Sequence, residues 1–156
     1  GDALAHDWGD RRFDAVVSWL ALYHVADRPR LLDQMRSVLL ADGRLYVEDL
    51  CAGPAVADSN RHELATELAA SHLPELACYR AEFAEGGFEV VACDDVSDDW
   101  AAFTRTRLEA YDADRDRHLR VHGAEVVDTL RTFYARMVRL LGEGTLAGVR
   151  LHARRT

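Results

Sequence analysis

The sequence predicts an α/β protein, and three observations carry that prediction. Residues 13–18 (FDAVVS) form a short apolar run of strand length. Helical periodicity follows, and after Asp42-Gly43 a second short apolar run occupies residues 45–50. A strand, a helical crossover and a second strand make the unit that joins two neighbouring parallel strands.

With 156 residues, 49% of them apolar, the chain is long enough for one packed core. It contains no run of eighteen apolar residues, and its N-terminus lacks a basic stretch followed by a hydrophobic core. Neither a membrane span nor a signal peptide is therefore expected, and the expected location is the cytoplasm. The net charge of −8 argues against a nucleic-acid grip built on a dominant basic surface, although Arg115, Arg117 and Arg120 lie close together. Cys51, Cys78 and Cys93 are odd in number and widely spaced, which fits reduced thiols better than a disulfide framework or a zinc site.

Residues 4–12 are polar and turn-rich around Gly9-Asp10 and should form a loop carrying Trp8. In the first strand, Phe13, Ala15 and Val17 alternate with Val16 and Ser18, and both faces are expected to lie under helices. Asp27 is placed to cap the next helix, with Pro29 in its first turn. Leu31, Leu32, Met35, Val38 and Leu39 give that helix one apolar face, and Gly43 should end it through a positive φ.

The strand over 45–50 ends on Glu48-Asp49, and Gly53-Pro54 breaks the pattern. Ser59 could cap a helix running toward Leu73, where Pro74 interrupts it. A shorter helix follows with Leu76, Tyr79, Arg80 and Phe83 on one face, stopped by Gly86-Gly87. Residues 88–93 read as a strand. Ser97 could cap the next helix, with Asp98 and Asp99 in its first turn and Trp100, Phe103, Leu108 and Tyr111 on its apolar side.

The clearest periodicity is the stripe Val126, Val127, Leu130, Phe133, Tyr134, Met137, Val138 and Leu141, which must be buried against something. Residues 97–143 thus read as two helices. Residues 146–154 then alternate Val149, Leu151 and Ala153 with Arg150, His152 and Arg154, as in a half-exposed last strand.

The order Phe13-Asp14, hydrophobics, Ser18, a loop with His24 and Asp27, a helix, and then residues 39–49 (LLADGRLYVED) resembles the fourth and fifth strands of class I, Rossmann-like S-adenosylmethionine-dependent methyltransferases. Gly1-Asp2-Ala3 resembles that family's Gly-Asp-Ala after the third strand. The resemblance implies a partial Rossmann-like sheet made of the family's strands four, five, seven and six. Its last strand should be antiparallel, with helices on both faces and the two-helix insertion over 97–143 before that strand.

The family's glycine-rich loop and the acidic residue after its second strand have no counterpart here. Residues 1–156 are accordingly expected to be a single C-terminal part of the domain, with the first three strands missing and low affinity for the cofactor. Strand 13–18 would then be a sheet edge, where Phe13, Val16 and Val17 invite self-association. The insertion is similar to that of sarcosine/dimethylglycine and phosphoethanolamine methyltransferases. The phosphoethanolamine enzymes commonly carry Asp at the position of Leu20.

For the cofactor S-adenosyl-L-methionine, the resemblance implies that Asp2 and Ala3 meet the adenine and that the backbone around Ser18 and Trp19 meets the methionine end. Trp8 either stacks there or packs under its loop. Ligands of open α/β sheets bind beyond the carboxyl ends of the strands, so residues 18–24 and 48–51 should share a crevice. His24 could orient a small-molecule acceptor or take its proton, or simply fasten the loop. Glu48 or Asp49 could hold a cationic amine, although alternation along a strand sends one of the two elsewhere.

Tyr79 and Trp100 either wall the pocket, with cation-π attraction for an ammonium, or pack in the core. His118 and His122 have a helical spacing that metals use but lack further ligands, so no metal is expected. Methyl transfer to a small molecule, an amine in preference to a hydroxyl or carbon, is the reading these residues support, without nucleic-acid or membrane partners. A non-catalytic module that pairs through the open edge strand is its rival.

Overall fold

The computed structural model describes residues 2–156. Strands Phe13–Trp19 (β1) and Leu39–Ala52 (β2) run parallel, with Ser18 opposite Val47 and Trp19 opposite Glu48. Between them lie a 3-10 turn over Leu22–His24 and a helix over Arg28–Val38 (α1). Asp27 caps α1, its Oδ1 accepting the Arg30 N–H at 3.2 Å; Leu31 and Leu32 are buried beneath the sheet, and Val38 is buried at the helix end.

The exit from α1 differs from expectation. The helix stops at Val38, Leu39 is already extended, and the positive φ belongs to Asp42 (61°), not to Gly43. Gly43 is needed for space, because a Cβ there would lie 2.8 Å from the Leu40 carbonyl oxygen.

Helices Asp58–Glu67 (α2) and Leu76–Glu85 (α3) lead to strand Phe88–Asp95 (β3). Asn60, not Ser59, caps α2 by accepting the Ala57 N–H at 3.1 Å. The helix ends well short of Leu73, and Ala69 beyond it adopts a left-handed φ of 49°.

The segment expected as two helices comprises three: Ser97–Ala113 (α4), Arg115–His122 (α5) and Ala124–Gly142 (α6). Gly123 makes the break with φ 79°. Ser97 is the first residue inside α4, and its Oγ accepts the Gly148 N–H at 3.0 Å, tying the helix start to the last strand.

That strand, Leu146–Arg155 (β4), lies between β2 and β3 and is antiparallel to both, giving the order β1-β2-β4-β3. A central position explains why Leu146 to Val149 are all buried where a half-exposed strand was expected.

Two apolar clusters sandwich the sheet. On one face Leu31 and Leu32 of α1 and Tyr79 and Phe83 of α3 pack on Leu45, Val47, Val149 and Leu151. On the other face Leu64 of α2 and Met137, Leu140 and Leu141 of α6 cover Leu50, Ala52 and Leu146. This second cover stops near the carboxyl end of β2. Val17, Trp19 and Val91 remain exposed, so β1 lacks the two-sided cover expected of it. The stripe of α6 is likewise only partly used, since Val126 and Phe133 face outward.

Candidate functional site

Because β3 and β2 are each antiparallel to β4, strands β1, β2 and β3 all point the same way and present their carboxyl ends on one rim. Ser18 and Trp19 end β1 on this rim, beside Val47 and Glu48 of β2. Ser18 is half-buried, whereas Trp19 is 65% exposed.

The chain then turns sharply. Leu20 adopts a φ of 50°, and its N–H donates to the Glu48 carbonyl at 2.8 Å. The 3-10 turn that follows carries His24, whose Nδ1 lies 3.0 Å from the Ala69 carbonyl oxygen. A carbonyl only accepts, so Nδ1 carries the hydrogen of that bond, and in the neutral ring Nε2 keeps its lone pair.

Alternation along β2 separates its two acids. Glu48 lies on the face of Trp19, accepting hydrogen bonds from the Tyr46 hydroxyl and from Arg150 Nε at 2.7 Å. Burial pushes its carboxyl up, but the Tyr46 and Arg150 hydrogen bonds together with the Arg150 charge outweigh this and hold it below the usual range. Glu48 is thus ionised and ion-paired with a guanidinium. Trp19 reaches the group through Tyr46, with ring centroids 6.1 Å apart.

Asp49 points the opposite way and is fully buried. Its Oδ2 accepts the Tyr79 hydroxyl at 3.1 Å and lies 3.8 Å from Arg28. Desolvation raises its carboxyl to about 6. Against that rise act the Arg28 charge, the Tyr79 hydrogen bond and the amides of Tyr23 and Leu50, which face the carboxylate without a well-aligned hydrogen bond to Oδ1. Burial, and then the Asp49 charge, push the Tyr79 hydroxyl far up and raise that of Tyr23. Cys51, next on the same face, is pushed up to about 12, mainly by desolvation.

The aromatic residues considered as pocket walls are placed in packing positions. Tyr79 is buried and stacked on Phe83 at 5.2 Å. Trp100 lies against Gly148, where an added Cβ would come within 2.8 Å of its ring. At the other end of the chain, Asp2 Oδ1 accepts the Leu4 N–H at 2.9 Å. Ala3 lines a groove of about 380 Å³ with Trp8, Phe13, Val16 and Leu31. Trp8 meets Phe13 edge-on at 5.6 Å. Gly1 lies outside the described residues. His118 and His122 stack at 6.2 Å, and among the described residues no cluster of three or more His, Cys, Asp or Glu could hold a metal.

Sequence reasoning overlooked Arg28, Glu82 and His72. Arg28 is only 2% exposed although it opens a helix, and Glu82 joins it to His72. An Arg in the first turn after a capping Asp reads as a solvated side chain, so no local signal marks it. Also unforeseen was a cavity of about 820 Å³ farther along the rim, between Gly53, Asp95, Asp98 and Gly144. None of the candidate residues lines it.

Among known proteins, the family described as "Methyltransferase domain" matches residues 1–47. Phosphoethanolamine N-methyltransferase 3 of Arabidopsis thaliana is 21% identical over 118 residues, which are 76% of this chain and 24% of that protein. The structure described as that of "a putative sarcosine dimethylglycine methyltransferase from Galdieria sulphuraria" superposes with a TM-score of 0.84 at 15% identity, over 100% of this chain and 57% of that one. Phosphoethanolamine N-methyltransferase 2 of Haemonchus contortus, solved with phosphomonomethylethanolamine and S-adenosylhomocysteine, gives 0.88 at 15% identity, over 99% of this chain and 36% of that one. The chain thus spans about a quarter of the curated relative and between a third and three fifths of these structures. Its fold is that of the Rossmann-like S-adenosylmethionine-dependent methyltransferases, with residues 1–47 matching their methyltransferase domain.

Proposed function

We propose that this protein takes part in transferring a methyl group from S-adenosyl-L-methionine to a small-molecule acceptor, an amine. The observation that carries the reading is the rim itself. Two adjacent parallel strands bring Ser18, Trp19 and Glu48 side by side, next to a turn whose His24 ring is held through Nδ1 by the Ala69 carbonyl.

The residues present fit part of the cofactor. Asp2 has an exposed carboxylate for an adenine amino group, and the Ala3 groove has apolar walls. Ser18 and Trp19 end an edge strand whose outer backbone groups are open to a polar amino-acid end. When bound, the cofactor supplies an electrophilic methyl group; the protein contributes orientation and exclusion of water. His24, through Nε2, is suited to accept the proton that an ammonium acceptor must lose to expose its lone pair. Glu48, charged at neutral pH, adds attraction for that cation, moderated by Arg150. The naming of phosphoethanolamine and sarcosine among the similar proteins supports an amine.

Calorimetric titration of the full-length protein with S-adenosylhomocysteine tests the cofactor assignment, and absence of binding overturns it. In that protein His24→Ala should lower turnover about 10²–10⁴-fold with little change in cofactor affinity. Equal turnover in the variant would remove His24 from proton transfer. A second reading, a module that pairs through β1, draws support from exposed Val17 and Trp19 on that edge.

A further inference from the structure

We propose that Arg28 is the positioning residue of the rim, holding the Leu22–His24 turn, and so the His24 ring, through the carboxylates of Glu82 and the buried Asp49. The inference rests on the reading of His24 as the group that meets the acceptor, and it deepens that reading.

Arg28 is a buried cation held by charge rather than by hydrogen bonds. Its guanidinium lies 3.8 Å from Asp49 Oδ2 and 3.9 Å from Glu82 Oε2, with the Tyr79 ring centroid at 5.8 Å. None of its three side-chain nitrogens makes a hydrogen bond among the described residues. A charge in that state is costly, and apolar packing of equal volume often serves stability as well or better. Stability alone is therefore a poor reason for Arg at this position, and what its charge holds in place is the better one.

Two routes lead from it, and both end on Tyr23, the neighbour of His24. Along the first, Arg28 favours the charged form of Asp49, which the backbone amide of Tyr23 faces. Along the second, Glu82 bonds His72 Nε2 at 2.8 Å, and the backbone N–H of His72 donates to the Tyr23 carbonyl at 3.0 Å. The Tyr23 carbonyl is thus hydrogen-bonded to a residue whose ring meets the Glu82 carboxylate, while its amide faces the Asp49 carboxylate without a well-aligned hydrogen bond, and the two carboxylates share Arg28. The Leu22–His24 turn is short, and it has no side-chain cap of its own. Apart from this anchorage, among the described residues the turn is held by the hydrogen bond from His24 to Ala69 and by the packing of Leu22 and Tyr23 on the apolar clusters.

The groups that face Asp49 are Arg28 from α1, Tyr79 from α3, Tyr23 from the turn and Cys51 on β2 itself, with Glu82 and His72 one contact further. Of these, Arg28 is the only one within ion-pairing distance that is cationic at every ordinary pH.

The test uses full-length protein carrying Arg28→Met or Arg28→Lys, read by NMR titration of the Asp49 carboxyl and by amide exchange at Tyr23, His24 and Val25. In Arg28→Met the Asp49 midpoint should rise by about one pH unit or more, because desolvation loses its main opponent. Exchange in the turn should quicken about tenfold, with the amides of β4 unchanged. Arg28→Lys should restore the titration. In the methyl-transfer assay kcat should fall with KM little altered, and the pH–rate profile should follow the Asp49 midpoint.

An unmoved Asp49 midpoint with unchanged exchange overturns the inference. Should Arg28→Met fail to fold, the double variant Arg28→Met/Asp49→Asn removes both charges together. Turn protection equal to the parent's in that variant overturns the inference as well. If titration and exchange respond as expected but no form of the protein transfers methyl, the anchoring of the turn stands and the enzymatic reading falls.

Discussion

At the scale of single residues, Asp49 is where pH should act on the fold. Raising its carboxyl from 3.8 to about 6 costs the ionised form about 3 kcal/mol relative to the unfolded chain. A carboxyl raised in the folded state keeps its proton there longer than in the unfolded state. Its stabilising contribution is complete below about pH 4 and is lost as the pH climbs through about 6. Urea unfolding at pH 4.5 and 7.5 should reveal that decline, and Asp49→Asn should flatten it. An equal slope in the variant would assign the decline to other groups. Glu48 has the opposite sign: held below the usual range, it contributes above the ordinary carboxylate range and loses that contribution as the pH falls.

Among the elements, the same kind of residue carries different weight according to what its helix meets. Phe83 of α3 is enclosed between Tyr79 and Phe88, whereas Phe133 of α6 faces outward. Phe83→Ala should destabilise by about 3–5 kcal/mol and Phe133→Ala by about 0.5 kcal/mol or less, as measured by chemical denaturation. The junction after β2 depends on a close approach of two backbones. A Cβ on Gly53 would lie 2.1 Å from the Gly144 carbonyl oxygen, while the Gly53 N–H donates to the Thr145 carbonyl. Gly53→Ala must push apart the ends of β2 and β4, and a loss of about 1–3 kcal/mol in the same assay is expected. A variant as stable as the parent would show that the junction can yield without cost.

For the molecule as a whole, the unequal cover of the sheet matters most. One face is packed along its length by α1 and α3, and the other is covered chiefly toward the carboxyl rim by α2 and α6. What remains open is the lower part of that second face and the outer edge of β1, with Val17 49% exposed. Unpaired strand edges with apolar side chains recruit further strands. Sedimentation should therefore find concentration-dependent association of the 156-residue chain, weakened by Val17→Lys on the edge. A strictly monomeric chain across the concentration range would exclude this edge as a self-pairing surface. Among the described residues no helix is long and apolar enough to cross a membrane.

Much of this architecture could be read along the chain because its signals are local. Periodicity places α1 and α3, short apolar runs place β1 and β2, and Asp27 announces its helix through a cap that the structure retains. The positive φ expected at Gly43 falls on Asp42 because a turn can need glycine for room instead of for φ, and only the approach of the Leu40 carbonyl distinguishes the two. The ends of β1 and β2 share a rim because a helical crossover makes neighbouring strands parallel, which sequence order alone implies. The partners of each side chain on that rim were beyond such reasoning. Which face takes Glu48 and which takes Asp49, and that Arg28 lies buried between Asp49 and Glu82, depend on contacts between residues more than twenty positions apart. Sequence fixes periodicity and order, but burial, and with it the energy of a charge, is set by what the rest of the chain lays over it.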